Sequence, residues 1–489
     1  MKHFNTICMA MILGLLCAAS AVAADFRVAA RSVDITPDKP IMLQGQMYTR
    51  ISKKVETPIT ANVLVMKSCD KDKTLDCAVI ISFDLCSVPP LFNETLRNAI
   101  SKLIPEIDAN SKIILSATHT HTSYVLTETG YVTDNKTIMT PTESIAFIVS
   151  RVAPVVADLW KNTVKAKYSY GMGSALIAYN RRAVYENGSG VMYGATNTPK
   201  FRSIEGMEDH DVNQLFFWDE KDKLLAMIIN VSCPSQEVEG RHAVNADYWH
   251  PVRQTLNAKY GKGVCILGLC GAAGDMSPRP LYQKEATNRM VSLRKTDRLG
   301  EIARRIVRAV DETYPVVQSE KTDKIPFSHQ FAVLDLPQQK VPKELYESFK
   351  VQAEDYRKKA EAAKDKGASG SYTTGNWTRR VVTRYEQQQG VANPTYPIAV
   401  HVLRIGDIAL CTNPFELYTD FGVQIKARSK ATQTFIVQLT DNRKVAGYLP
   451  SEQAEKHGGY GAIPQSNHVG SPGGKILVEE TLKMLNPLF

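Results

Sequence analysis

From its amino terminus to about residue 310 the chain alternates short apolar, β-branched runs with stretches whose apolar residues recur every three or four positions. Residues 59–66, 78–83, 113–116, 225–231 and 264–269 are of the first kind and are predicted to be buried strands. Residues 91–104, 144–160 and 296–310 are of the second kind and are predicted to be amphipathic helices. Strands apolar on both faces need cover on both, which the helices supply. The expected class is therefore α/β (α+β), with mixed β-sheets covered by helices.

The texture changes at Val341. Leu345, Phe349, Ala353, Tyr356 and Ala360 mark one stripe of a highly charged helix that stops at Lys366-Gly367-Ala368-Ser369-Gly370, and a second polar segment follows. Residues 341–390 read as a helical insertion on the surface. Strands return at 398–405, 408–412 and 435–439, and a helix over 475–485 closes the chain. The expectation is one catalytic domain over 25–489.

Residues 1–24 have the order of a secretory signal: Lys2, an apolar run from Met9, then Ala21-Val22-Ala23-Ala24 before Asp25. Lipoprotein cleavage before Cys17 is disfavoured by the large Leu16. No later run approaches the ~20 apolar residues of a membrane span, so a secreted or periplasmic protein is expected. The 59 basic against 50 acidic residues are dispersed, and no basic cluster interleaved with aromatics marks a nucleic-acid site. Nothing in the sequence signals an oligomeric state. Past the signal come seven cysteines, of which Cys69 and Cys77 flank a polar stretch between two apolar runs and are the expected site of a hairpin disulfide.

Two segments carry the chemistry. In Ile113-Ile114-Leu115-Ser116-Ala117-Thr118-His119-Thr120-His121 a buried strand runs into two histidines that extended backbone would project to one side at its carboxyl end. Metal ligation and hydrogen-bonded structural histidines are both open to that pattern. The second segment, Gly271-Ala272-Ala273-Gly274-Asp275-Met276-Ser277-Pro278, follows another buried strand; its small residues allow a tight turn that brings Asp275 and Ser277 to the sheet edge. Neither a Gly-x-Ser-x-Gly elbow nor a phosphate-binding glycine loop is present.

Taken in order with Asp34-Ile35-Thr36-Pro37, Ser82-Phe83-Asp84, Asn180-Arg181-Arg182, Asn245-Ala246-Asp247, Pro414-Phe415-Glu416, Gly447-Tyr448 and Gly459-Tyr460, these segments resemble the amino-terminal catalytic domain of the neutral/alkaline non-lysosomal ceramidases. The resemblance runs over nearly the whole chain after the leader, without the carboxyl-terminal immunoglobulin-like domain of the full-length enzymes. It implies one zinc ion per chain held by His119, Glu416 and Tyr448. It also implies His121, Arg181 and Tyr460 as groups facing the substrate or its oxyanion, with Asp275 and Ser277 at the active site. A second, structural divalent cation is left open.

The chain departs from the family pattern at the second histidine ligand. Asn230-Val231-Ser232-Cys233-Pro234 stands where the family has Asn-x-x-x-His-Pro, so Cys233 takes the ligand's place. A Cys233 thiolate would complete a reasonable zinc site of reduced Lewis acidity. The alternatives are that Cys233 is a buried apolar residue, with the site rebuilt from His242, Asp247 or His250, or that the metal is lost. The implied activity is zinc-dependent hydrolysis of the N-acyl bond of ceramide or a related lipid, with contact at a membrane surface left open. Two other readings stand beside it: hydrolysis of an amide, ester or glycosidic bond in a sugar-containing substrate, and non-catalytic ligand binding without metal.

Overall fold

Eight strands form the main sheet of the computed structural model, which describes residues 24–489: β1 (Asp25–Asp34), β2 (Thr60–Asp70), β3 (Lys73–Phe83), β4 (Ile113–Ala117), β5 (Val164–Ser174), β6 (Asp211–Asp219), β7 (Leu224–Val231) and β8 (Cys265–Cys270). Apart from its last residue, the expected leader lies outside the described residues. The strand order is β8-β7-β6-β5-β1-β2-β3-β4. The two outer pairs, β3/β4 and β7/β8, are parallel and the inner pairs antiparallel, so the sheet is mixed. Both parallel pairs end at the loops that carry the candidate chemistry.

A second sheet joins β9 (Phe327–Pro337), β10 (Thr395–Ile405), β11 (Ile408–Thr412) and β12 (Gln433–Val437) in that order. The period-2 geometry of a strand explains the layering. In β2, Leu64 and Met66 join Leu403, Leu410 and Phe435 of the second sheet in one core. Val63 and Val65 point the other way, into a core with Phe92, Leu96, Ile148 and Val152. Those four belong to α1 (Pro90–Leu103) and α2 (Pro141–Lys161). The far half of the same face is covered by α3 (Trp249–Tyr260) and α4 (Arg298–Val317) through Val252, Leu256, Ile302 and Ile306. The outer face of the second sheet packs Val400 and Val402 on Leu477 and Val478 of the terminal helix Ser471–Leu485. The layers thus run helix, sheet, sheet, helix.

The predicted strands and helices all occur, with shifted ends. Helix α2 starts three residues before the periodic pattern, because Thr140 accepts from the Glu143 amide while Glu143 reaches back to the Thr140 N–H, a capping box that fixes the boundary. Residues 341–390 hold two helices, α5 (Lys343–Ala362) and α6 (Ser371–Gln387). The bend between them docks on the loop preceding the helical layer: Thr49 N donates to the Gly367 carbonyl at 3.0 Å, and a Cβ on Gly367 would lie 2.2 Å from the Val132 oxygen.

Asp441 pins the layers together. Fully buried, it accepts from the Leu115 amide of β4 at 3.0 Å and contacts Arg97 of α1 and His401 of β10. Arg97 and His401 outweigh burial and hold its carboxyl far below the usual carboxylate range.

The disulfide expectation is corrected. The hairpin register, Asp70 opposite Lys73, sets Cys69 opposite Thr74, and beyond a bulge at Ser68/Cys69 Cys77 pairs with Lys67, so the two cysteines do not face each other and both are free, buried thiols.

Candidate active site

The loops after β3, β4, β7 and β8 converge with the segment after β11, and that convergence builds the site. His119 leaves β4 with φ of 68°, a left-handed conformation rare outside glycine, which turns its side chain off the strand's alternation and back over the sheet end. Its Nδ1 lies 2.7 Å from the Cys86 carbonyl. A carbonyl only accepts, so Nδ1 carries the proton and Nε2 points the other way, at Glu416 Oε2, 3.3 Å off. Burial would lower the His119 pKa, but Cys86 and Glu416 hold it well above the ordinary value. The position between Nε2 and Oε2 therefore favours a proton or a cation.

That geometry fits a metal. Two ligands each ~2.0–2.1 Å from a tetrahedral zinc lie ~3.3 Å apart, and a backbone carbonyl on the far nitrogen is the usual means of orienting a ligating imidazole. Glu416 begins a short parallel pairing with Tyr448, which lays the phenol beside the carboxylate. Burial and the Glu416 charge raise the Tyr448 pKa well above the ordinary value, so the phenol keeps its proton.

Cys86, His119 and His121 form the compact set of metal-ligating side chains among the described residues, with one donor atom from each lying within 4.8 Å of the others. Burial opposes ionisation of Cys86, yet His121 and His119 lower its pKa to about 6. The thiol was not singled out in the sequence, although it stands two residues past Asp84 at the end of β3. It lies on the Nδ1 side of His119, 3.9 Å away, opposite Glu416.

Proton positions elsewhere follow from one donor-only group. Arg181 Nη1 donates to Gln236 Oε1 at 3.1 Å, which leaves the Gln236 amide nitrogen, 2.8 Å from His121 Nε2, as the donor there. His121 consequently carries its proton on Nδ1, 3.2 Å from Glu239 Oε2. Burial would raise Glu239, but His121, Arg279 and Arg181 bring it down to about 2. Gln236 and Glu239 were also missed. Gly45 lets this ring sit where it does: its φ is 110°, and an added Cβ would fall 2.2 Å from His121 Cγ.

Arg181 is buried and donates further to the Gly274 carbonyl at 2.9 Å, Tyr193 OH at 3.1 Å and Tyr448 OH at 3.3 Å. Asp275 braces it from behind, accepting from Asn180 and from the Thr419 amide and hydroxyl, while its own carbonyl takes the Arg181 N–H. Burial pushes Asp275 up to about 6. Ser277 Oγ accepts from Tyr193 OH and the Arg279 amide, and among the described residues neither a histidine nor a carboxylate is hydrogen-bonded to it to activate it as a nucleophile. Tyr460 packs its ring edge-on to Tyr448 at 5.5 Å.

The structure brings His119, His121, Arg181, Glu416, Tyr448 and Tyr460 together and leaves Cys233 out. The Cys233 thiol faces the Ile177 carbonyl at 3.4 Å in the core under Tyr248 and Trp249, and burial raises its pKa far above the ordinary thiol value. That correction has a local cause: β7 runs straight to Val231, and the next residues turn inward so that the Cys233 carbonyl meets Tyr248 OH at 2.7 Å. The proposed substitutes do not rebuild the site either. His242 is exposed, His250 stands near Arg253 and Asp84, and Asp247 accepts from the Val238 and Tyr248 amides.

No family model matches the chain, and no curated protein matches it by sequence. Solved structures do. A neutral ceramidase from Pseudomonas aeruginosa superimposes with a TM-score of 0.64 at 14% identity, over 94% of this chain and 74% of that one. The fold is that of a neutral ceramidase. A ceramidase complexed with C2 matches as well, with a TM-score of 0.64 at 13% identity over 94% of this chain and 75% of the other. At such identity the ceramidase likeness concerns the course of the backbone, and the residues of the site have to argue for themselves. Among the described residues no helix is long and apolar enough to cross a membrane.

Proposed function

We propose that the chain is an exported, metal-dependent hydrolase of ceramidase type that cleaves the N-acyl bond of ceramide or a related lipid. The observation that carries this reading is the buried His119 Nε2 and Glu416 Oε2 pair, 3.3 Å apart, at the junction of the two sheets. One zinc ion would be held by His119 and Glu416, with the Tyr448 oxygen beside them. Bound there, zinc would supply Lewis acidity towards the scissile carbonyl and a water of lowered pKa.

The chain's own groups have distinct tasks. Arg181 donates to Tyr448 OH and so turns the phenol's hydrogen towards the cleft, where Tyr448 can donate to a developing oxyanion. Tyr460 walls the site beside it. His121, fixed by Gln236 and Glu239, presents its ring edge-on to His119 with centroids 4.9 Å apart, and acts on the substrate side of the centre. Asp275 and Ser277 hold the Arg181 segment in place.

The test joins metal content to turnover. Purified protein is expected to carry one zinc per chain and to hydrolyse a fluorogenic ceramide, and chelation or His119→Ala should abolish both. Full activity after both treatments would overturn the reading. The Cys233 position favours a second reading, a ligand-binding protein without metal, since a common third ligand is missing. Failure to take up zinc even when it is supplied would establish that alternative.

A further inference from the structure

Helix α6 turns Trp377 onto Tyr460, with ring centroids 5.7 Å apart, and Tyr460 in turn packs on Tyr448. Arg380 lies one turn further along the same helix, where side chains three residues apart share a face. Beyond it opens a cavity of about 270 Å³ lined by Asn376, Arg379, Arg380, Arg384 and His468 among others, without a single carboxylate. A run of three rings, Trp377, Tyr460 and Tyr448, thus leads from the helix that lines the cavity to the Glu416 side of the site.

No carboxylate meets the cavity's charge in direct contact, and Glu354 acts on Arg379 only through space. None of the three arginines forms an ion pair among the described residues, although most buried or half-buried guanidinium groups in this chain do. Arg384 is buried, and desolvation lowers its pKa to about 10 with only Tyr396 acting the other way. It spends its terminal nitrogens on the Asn467 and Pro464 carbonyls. Its Nε and the Asn376 Nδ2 amide are buried donors without a hydrogen-bond partner among the described residues. Burying donors unmet costs ~1–3 kcal/mol each, so such groups in a folded chain are met by water or by a ligand. Guanidinium forks beside the Asn376 amide N–H match a tetrahedral oxyanion, whereas an ordered water would satisfy them less completely.

We propose that the helical insertion builds an anion subsite next to the catalytic centre, and that it takes a phosphate- or sulfate-like group carried by the substrate. The inference rests on the hydrolase reading for its placement on the substrate, but the subsite can be tested without turnover. Arg379 and Arg380 are exposed and make no side-chain hydrogen bond among the described residues, so Arg379→Gln/Arg380→Gln is expected to leave the fold intact. Calorimetric titration with inorganic phosphate at constant ionic strength is expected to show saturable binding to the wild type. The same binding is expected in His119→Ala, and a loss of about tenfold or more in the double variant. Absence of binding to the wild type, or equal binding to the double variant, would overturn the subsite even if the protein hydrolyses ceramide. Turnover then identifies the source of the anion. A phosphorylated N-acyl amide should be preferred over its neutral counterpart, through KM, only in protein with the arginines intact. Phosphate binding joined to equal KM values for the two amides would instead overturn the assignment of the anion to the substrate.

Discussion

His119 and Glu416 are delivered by different sheets and meet with Nε2 3.3 Å from Oε2. Neither strand holds the pair alone, and the carboxylate takes its position from Gly274: a Cβ there would sit 2.4 Å from the Glu416 carbonyl oxygen. Glu416→Gln keeps the shape and removes the charge that balances a cation. Zinc affinity and kcat are expected to fall by ~100-fold or more and the thermal midpoint to fall with them, since the folded state favours the Glu416 charge beside His119 and Arg181. Metal titration and calorimetry on the same preparations would check this.

Gly45→Ala probes how closely the backbone approaches the second histidine. The methyl group would meet His121 Cγ at 2.2 Å, and the residue's φ of 110° lies outside the range open to alanine. A destabilisation of ~1–3 kcal/mol is expected in urea unfolding, accompanied by a drop in kcat through displacement of the ring.

Cys233→Ala separates core from ligand. With the thiol buried among carbonyls, the variant is expected to lose ~1–2 kcal/mol of stability and to keep the wild-type zinc stoichiometry. Loss of zinc would return Cys233 to the metal.

Asp247 ties stability to pH. Burial raises its pKa to about 7 although the Val238 and Tyr248 amides oppose the shift. With the folded value above the unfolded one, near 4, ionisation opposes folding. The penalty is absent below about pH 4, grows towards pH 7 and stays in full above it, on the order of 4 kcal/mol. In Asp247→Asn the fall in melting temperature between pH 5 and 8 should be flatter than in the wild type. Asparagine tolerates the residue's left-handed φ of 56° but accepts from only one of the Val238 and Tyr248 amides, so the variant melts lower at every pH while its pH slope flattens.

Asp441→Ala strips the shared partner from Arg97 and His401 and leaves Arg97 buried and unpaired. A loss of ~3–5 kcal/mol is expected in chemical denaturation, with the midpoint moving and the zinc site unchanged wherever the protein remains folded.

The layered architecture was legible because β2, β3, β4, β7 and β8 are continuous apolar runs, a pattern that demands cover on both faces. Strand β5 was missed: its start alternates exposed Lys165 and half-buried Lys167 with buried Ala166 and Tyr168, and Gly171 and Gly173 weaken the strand signal. At the site, a histidine at the end of an apolar strand announces itself, whereas Cys86, Gln236 and Glu239 lie in loops whose paths only the packing of two sheets decides. The Cys233 error has the same root. A cysteine after a buried strand reads alike whether its thiol turns to a metal or to a neighbouring carbonyl, and the turn at Ser232 makes the choice. Cys69 and Cys77 were misjudged because the two-residue turn after Asp70 sets the register, and flanking the same polar stretch does not place two residues opposite one another.

Because one half of the His119–Glu416 pair rides on each sheet, the interlayer of Leu64, Met66, Leu403 and Phe435 acts as the bearing on which the centre is aligned. Heat or solvent that lets the sheets slip by a fraction of an ångström would spoil the alignment while both remain folded. Inactivation would then run ahead of unfolding, and the temperature at which the protein stops working would report on the stiffness of an apolar seam well removed from any reacting atom.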